Sequence, residues 1–192
     1  MGTYAPWVFD KSFVDVASTH WASEAIKSLS AKHVLTGKTE TAFDPQGQTT
    51  RAEFAALIVR TLGLEVKDTD VPFGDVSKNA WYADSVAAAY QAGLVQGIAN
   101  DKFAPTQTIS REEMAVLMMR AYEYQSQSNH TKSAKAGYTD EANIASWAKE
   151  AVVKASELGV MKGSTGGVFK PKNSATRAET AQTVHNLLSL LK

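Results

Sequence analysis

Apolar positions in this chain recur at helical spacing in six stretches, arranged as three pairs. In the first pair Trp21, Ala25 and Leu29 lie four apart, and Ala22 and Ile26 widen the stripe into one face of a helix. Trp81, Val86 with Ser85, and Ala89 with Tyr90 repeat that spacing, as do Trp147, Ala151 and Ala155. The second member of each pair is more strongly apolar: Phe54, Leu57, Ile58, Thr61 and Leu62; then Met114, Leu117, Met118, Ala121 and Tyr122; then Ala181, Val184, His185, Leu187 and Leu188. A turn and a short extended segment separate the two members. The pattern predicts an all-α protein made of three helix-loop-helix units.

The ends of these helices are also legible. Gly93 and Gly159 stand twelve residues after Trp81 and Trp147 and precede Leu94 and Val160. A glycine there suits the left-handed backbone that closes a helix, and the following apolar residue suits the contact that accompanies it. His33 holds the position in the first unit. Histidine tolerates the left-handed region, so it reads as a helix end rather than a metal ligand. The second helices open on Thr50-Arg51-Ala52-Glu53, Ser110-Arg111-Glu112-Glu113 and Thr176-Arg177-Ala178-Glu179. A hydroxyl followed three residues later by glutamate is a capping box, in which each side chain bonds the other's backbone N–H.

The three units are copies of one another. Trp21, Trp81 and Trp147 each lie thirty residues before Arg51, Arg111 and Arg177. Gly37, Gly97 and Gly163 lie fourteen before, Phe43, Phe103 and Phe169 eight before, and Pro45, Pro105 and Pro171 six before. Asp15 and Asp75 lie thirty-six before their arginines, Asp140 thirty-seven. The chain therefore divides into a leader (1–12), repeat 1 (13–64), a linker (65–72), repeat 2 (73–123), a polar linker expected to be a surface loop (124–137) and repeat 3 (138–192). A two-helix unit of roughly fifty residues cannot bury both apolar faces alone. The second helices are expected to meet on a common axis, giving a pseudo-threefold, three-pronged arrangement around a central three-helix bundle. A stacked solenoid is the alternative.

Composition narrows the function. Twenty Lys and Arg balance twenty Asp and Glu, which argues against a nucleic-acid partner. Without cysteine there is no disulfide scaffold, thiolate metal site or cysteine nucleophile. His20, His33, His130 and His185 share no repeat offset or ligand spacing, and no nucleophile elbow or phosphate loop occurs. Neither catalysis, nor a cofactor, nor a metal is expected. No run approaches the ~20 apolar residues of a membrane span. No signal peptide is visible, and Met1-Gly2-Thr3-Tyr4-Ala5-Pro6 reads as an expression start ahead of a mature sequence.

Some repeated residues exceed what the helices need. A cation in the first turn of a helix opposes the dipole, so the repeated arginine needs another reason. With the helix-start N–H groups it could form an anion site, or it could pair with an aspartate of its own or a neighbouring repeat. Gly37, Gly97 and Gly163 supply either a positive φ or close approach of a ligand to the backbone. The tryptophans are either core residues or a platform for stacking sugars.

These motifs together resemble the S-layer homology domain. The resemblance rests on the aromatic-x-Asp segments (Phe13-Val14-Asp15, Phe73-Gly74-Asp75 and Tyr138-Thr139-Asp140), His20-Trp21-Ala22, the Gly37 turn, Phe43-x-Pro45 and Thr50-Arg51-Ala52-Glu53. It spans about Phe13 to Leu188. It implies a secreted, non-catalytic module that anchors S-layer or surface proteins to the bacterial cell wall, monomeric as an isolated unit. The implied ligand is a peptidoglycan-linked secondary cell-wall polymer bearing ketal-pyruvylated N-acetylmannosamine, held in grooves between repeats. By position, Arg51, Arg111 and Arg177 would engage the pyruvate carboxylate, and Gly37, Gly97 and Gly163 would leave room for the sugar. Asp15, Asp75 and Asp140 would line or brace the grooves, with Trp21, Trp81 and Trp147 available for stacking. The rival function is a helical-repeat module that binds another protein; a wall-active enzyme domain ranks last for want of catalytic groups.

Two departures bear on the sites. Glu112 replaces the alanine beside the arginine in repeat 2, adding negative charge near Arg111. Repeat 3 has one extra residue between Asp140 and Trp147, and Glu141 stands where Val16 and Val76 do, which puts the position of Asp140 in question. Unequal grooves are expected, with Arg51 in the most dependable one.

Overall fold

The computed structural model describes residues 11–66, 70–127 and 137–191. It is all-α. Helices α1 (Ser23–Ala31), α3 (Ala83–Gln91) and α5 (Lys149–Glu157) are the first members of the three pairs, and α2 (Arg51–Leu62), α4 (Arg111–Ser126) and α6 (Arg177–Leu190) are the second. Among the described residues there is no strand, only isolated bridges between loops. The leader lies outside the described residues except for 11 and 12, as do 67–69 of the first linker and 128–136 of the second.

The helix ends follow the chemistry of the chain. All three capping boxes form: Thr50, Ser110 and Thr176 accept from the backbone of Glu53, Glu113 and Glu179, whose side chains reach back. His33, Gly93 and Gly159 take left-handed φ values of 56°, 72° and 70°. Past them, Val34 and Leu94 donate back to Leu29 and Ala89, and Met161 to Ala155. The first helices begin two residues after their tryptophans rather than at them, without a capping side chain. Helix α4 runs on to Ser126, so the second linker starts as helix and not as loop.

Packing runs between repeats. The second helices α2, α4 and α6 each touch the other two. Around them, α3 packs on α2, α5 on α4 and α1 on α6, so each first helix covers the central helix of the preceding repeat and the last repeat meets the first. Near the start of the central helices, backbone bonds close a three-membered ring: Ile109 N to Thr49 O at 2.9 Å, Thr49 N to Ala175 O at 3.0 Å, and Ala175 N to Ile109 O at 2.8 Å. Phe54 and Met114 are fully buried below it, while the corresponding Thr180 satisfies its hydroxyl against Thr49 Oγ1 at 3.0 Å. A stacked solenoid, open at both ends, is inconsistent with the α1–α6 contact.

Candidate functional site: three grooves shared by three repeats

The repeated arginines are buried fasteners. Arg51, Arg111 and Arg177 are only 7%, 5% and 9% exposed. Each lies over the phenylalanine of the next repeat in cyclic order, 5.0 Å from Phe103, 4.9 Å from Phe169 and 4.6 Å from Phe43. Each Nε donates to the carbonyl of that same phenylalanine at 2.8 Å. Each Nη2 donates to a carbonyl seven residues earlier in that repeat's loop, on Gln96, Lys162 and Thr36. Guanidinium is suited to this because its planar fork serves several acceptors while one face lies on a ring.

The helix starts are not open anion sites. Arg51 N and Ala52 N donate to Gln107 O and Pro105 O, Arg111 N and Glu112 N to Asn173 O and Pro171 O, and Arg177 N and Ala178 N to Gly47 O and Pro45 O. The third N–H of each helix serves the capping hydroxyl. The orphan donors that would have bound an anion are thus consumed by the next repeat. Phe-x-Pro is the matching socket: a ring to lie on, two carbonyls to accept, and between them a residue with positive φ (Asp44, Ala104 or Lys170).

The aspartates brace that socket from within their own repeat and do not pair directly with arginine. Asp15 accepts from Phe43 N and Asp44 N, Asp75 from Phe103 N and Ala104 N, and Asp140 from Phe169 N and Lys170 N, at 2.6–2.8 Å. Asp140 therefore takes the equivalent position after all. The extra residue of repeat 3 is taken up in a single 3-10 turn, Glu141–Asn143. Slight burial tends to raise the Asp15 and Asp140 carboxyls, but the two socket donors, the aspartate's own backbone and the nearby Arg177 or Arg111 outweigh it and hold both below the usual range.

The repeated glycines Gly37, Gly97 and Gly163 do not have the positive φ that is one of the two expectations for them. Their lack of Cβ lets the loop close on its own repeat: a Cβ would stand 2.5 Å from Phe13 at Gly37, 2.9 Å from Phe73 at Gly97 and 2.5 Å from Tyr138 at Gly163, with a backbone oxygen within 2.9 Å in each case. Those aromatics in turn pack on Phe43, Phe103 and Phe169.

The tryptophans are not core. Trp21, Trp81 and Trp147 are 58%, 66% and 59% exposed. Each lines a groove together with an arginine and a glycine loop from two other repeats. The groove over α4 holds Trp147, Arg51, Gly97, Glu113 and Arg120 and encloses about 410 Å³. The groove over α6 holds Trp21, Arg111, Lys162, Gly163 and Glu179, at about 380 Å³. The groove over α2 holds Trp81, Arg177, Gly37, Lys38, Glu53 and Arg60, at about 180 Å³. The three aspartates line none of them.

The capping glutamates carry a role that spacing did not reveal. Glu113 and Glu179 each give one carboxylate oxygen to their own helix start and the other to the Nη1 of Arg51 or Arg111, at 2.8 and 2.6 Å. A capping box predicts the first bond; only the packing of repeats supplies the second. Arg60 and Arg120 also escaped notice, although each lies nine residues after a repeated arginine, where repeat 3 has Asn186. Glu112 does not face the groove of Arg111. It is buried, accepts from Ala145 N at 3.0 Å and pairs with Lys172, fastening α4 to repeat 3. The ground for expecting a weakened Arg111 groove is thereby removed. Among the described residues no cluster of His, Asp or Glu could hold a metal. Among the described residues no helix is long and apolar enough to cross a membrane.

A ring of inter-repeat fasteners with a groove on every central helix marks a repeat module whose surface sites exist only in the assembled unit. The S-layer homology domain model matches residues 12–55, 72–115 and 137–181, and the chain belongs to that family. It is 37% identical over 96% of its length to an amylopullulanase of Thermoanaerobacterium thermosulfurigenes, covering 10% of that protein. It is 40% identical over 92% of its length to an endoglucanase of Bacillus sp. (strain KSM-635), covering 18%, and 35% identical over 91% to the S-layer protein sap of Bacillus anthracis, covering 21%. The chain thus spans about a tenth to a fifth of these relatives. Modules of this family are non-catalytic: they bind cell-wall polymers and anchor S-layer and surface proteins, which makes this a cell-surface, wall-associated unit.

Proposed function

We propose that the three grooves bind the pyruvylated units of an anionic secondary cell-wall polysaccharide and so attach a secreted S-layer or surface protein to the wall. The observation that carries this reading is the recurrence, on all three central helices, of an exposed indole beside a guanidinium and a glycine loop. An indole face covers the C–H face of a sugar ring, and a guanidinium edge meets a carboxylate. The arginine acts through the N–H groups left over after its socket is filled, so it both builds the groove and marks its charge. Gly37, Gly97 and Gly163 keep the loop low beside the sugar, and the aspartates brace without touching it. The cyclic contacts support a pseudo-threefold relation between the grooves. They also leave the unit closed on itself, which favours a monomer.

The test is co-sedimentation of the chain with purified cell walls before and after mild acid removal of the pyruvate ketals. Binding should fall to background after treatment. Undiminished binding to the treated walls would defeat carboxylate recognition, and binding to a surface protein but to no walls would favour the protein-interaction alternative. Trp147→Ala, at an exposed position, should weaken sedimentation and leave thermal unfolding unchanged.

A further inference from the structure

The three grooves differ at one chemical point. Glu113 neutralises Arg51 and Glu179 neutralises Arg111 by direct ion pairs. In the groove over α2 the corresponding Glu53 is taken instead by Lys38 at 2.6 Å, and among the described residues the Arg177 side chain donates only to Phe43 O and Thr36 O. Lys38 has no counterpart, because Ile98 and Ser164 occupy its position in the other repeats. Arg60 adds a further cation to the same wall, and among the described residues no carboxylate pairs with it. Burial tends to raise the Glu53 carboxyl, but Lys38, Thr50 N and Arg177 together hold it below the usual range, so it stays ionised against Lys38. This groove has about half the volume of the other two, and Lys38 and Glu53 meet inside its lining.

We propose that the α2 groove is the high-affinity carboxylate site and that Lys38 is its specificity-determining residue. The proposal rests on the reading of the grooves as sites for an acidic saccharide. Lys38 holds Glu53 away from Arg177, leaving the guanidinium Nη1 edge for a ligand carboxylate. Lys38 is exposed at the groove and its ammonium carries three donors, so it can add a bond to the incoming anion while it still holds Glu53. In the other two grooves a ligand carboxylate must instead compete with a glutamate bonded to the arginine.

The experiment uses the whole chain and the methyl glycoside of ketal-pyruvylated N-acetylmannosamine. Indole N–H resonances report which groove fills, since each groove has one tryptophan. Titration should shift Trp81 at the lowest ligand concentration, with Trp21 and Trp147 following. Lys38→Ser, which copies repeat 3 at an exposed position, should weaken the Trp81 site about tenfold or more, the scale of one charged hydrogen bond. It should leave the Trp21 and Trp147 sites unchanged, and Glu53 should then re-pair with Arg177. A normal set of indole resonances in the variant reports that it is folded. Trp21 or Trp147 saturating first, or a Trp81 site indifferent to Lys38→Ser, would overturn the proposal while leaving saccharide binding intact. No shift of any indole in the unsubstituted chain would overturn both readings together.

Discussion

Replacing Arg111 by alanine distinguishes a fastener from a ligand-binding cation. The side chain is 6% exposed and satisfies Phe169 O at 2.8 Å and Lys162 O at 2.9 Å. Removing both donors leaves two acceptors short, at about 1–3 kcal/mol each for buried groups. Loss of the contact with the Phe169 ring adds about 0.5–2 kcal/mol. The Glu179 pair is discounted, because the carboxylate is 27% exposed and water replaces part of the bond. The total expected is about 2.5–8 kcal/mol. For a domain of this size each kcal/mol lowers Tm by roughly 2–4 °C, so a fall of about 5–30 °C is expected. Thermal and urea unfolding followed by helical circular dichroism measure it. Arg111→Lys should recover only part of the loss, since an ammonium cannot serve the three separated acceptors as a planar fork does. Arg177→Ala should cost less than Arg111→Ala, because its socket lacks the carboxylate bond. An Arg111→Ala chain that melts within about 2 °C of the parent, yet no longer sediments with walls, would refute the fastener assignment and return the arginine to a purely ligand-facing role.

The remaining predictions are briefer. Gly97→Ala places a methyl 2.6 Å from Ala99 O and 2.8 Å from Lys102 O, both backbone, and should cost about 1–3 kcal/mol in urea unfolding; an unchanged midpoint would show that the loop is loose. Asp15 and Asp140 have carboxyls held below their ordinary value, so the stability they add is fully present above 3.8 and is lost as pH falls through their lowered folded values. The double variant Asp15→Asn, Asp140→Asn should therefore show a shallower fall of Tm below that pH, and a parallel curve would count against the brace. A fragment ending at residue 127 retains Arg51, Gly97 and the whole of α4, but it lacks Trp147 and the α6 contacts. It should lose wall sedimentation entirely, and binding at half the parent level or better would contradict grooves built from three repeats.

What the sequence disclosed and what it withheld separate along one physical line. Local backbone chemistry was legible: the capping boxes at Thr50, Ser110 and Thr176, and the left-handed helix ends at His33, Gly93 and Gly159, depend on neighbours within a few residues. The repeat offsets identified the residues that matter. They did not say between which copies those residues act. An arginine at the first turn of a helix looks surplus when one repeat is considered alone; it has a socket only when the next repeat supplies a phenylalanine ring and two carbonyls 45 to 141 positions away. The tryptophans failed in the opposite sense. Their helical register with Ala25, Ala89 and Ala155 suggested core, but they precede the first turn of their helices and project beyond the face that α6, α2 and α4 cover. The glycines resemble the arginines, since the ring each would strike comes from a segment about two dozen residues earlier in its own repeat. Residues that recur in all three copies therefore build the common frame and its grooves, and selection among grooves falls to positions where the copies differ. Lys38, Ile98 and Ser164 occupy one such position, and Arg60, Arg120 and Asn186 another. Both sets border the grooves, where a substitution alters charge without disturbing a socket, so a repeat module of this design can retune its ligand preference one groove at a time while its closed frame stays fixed.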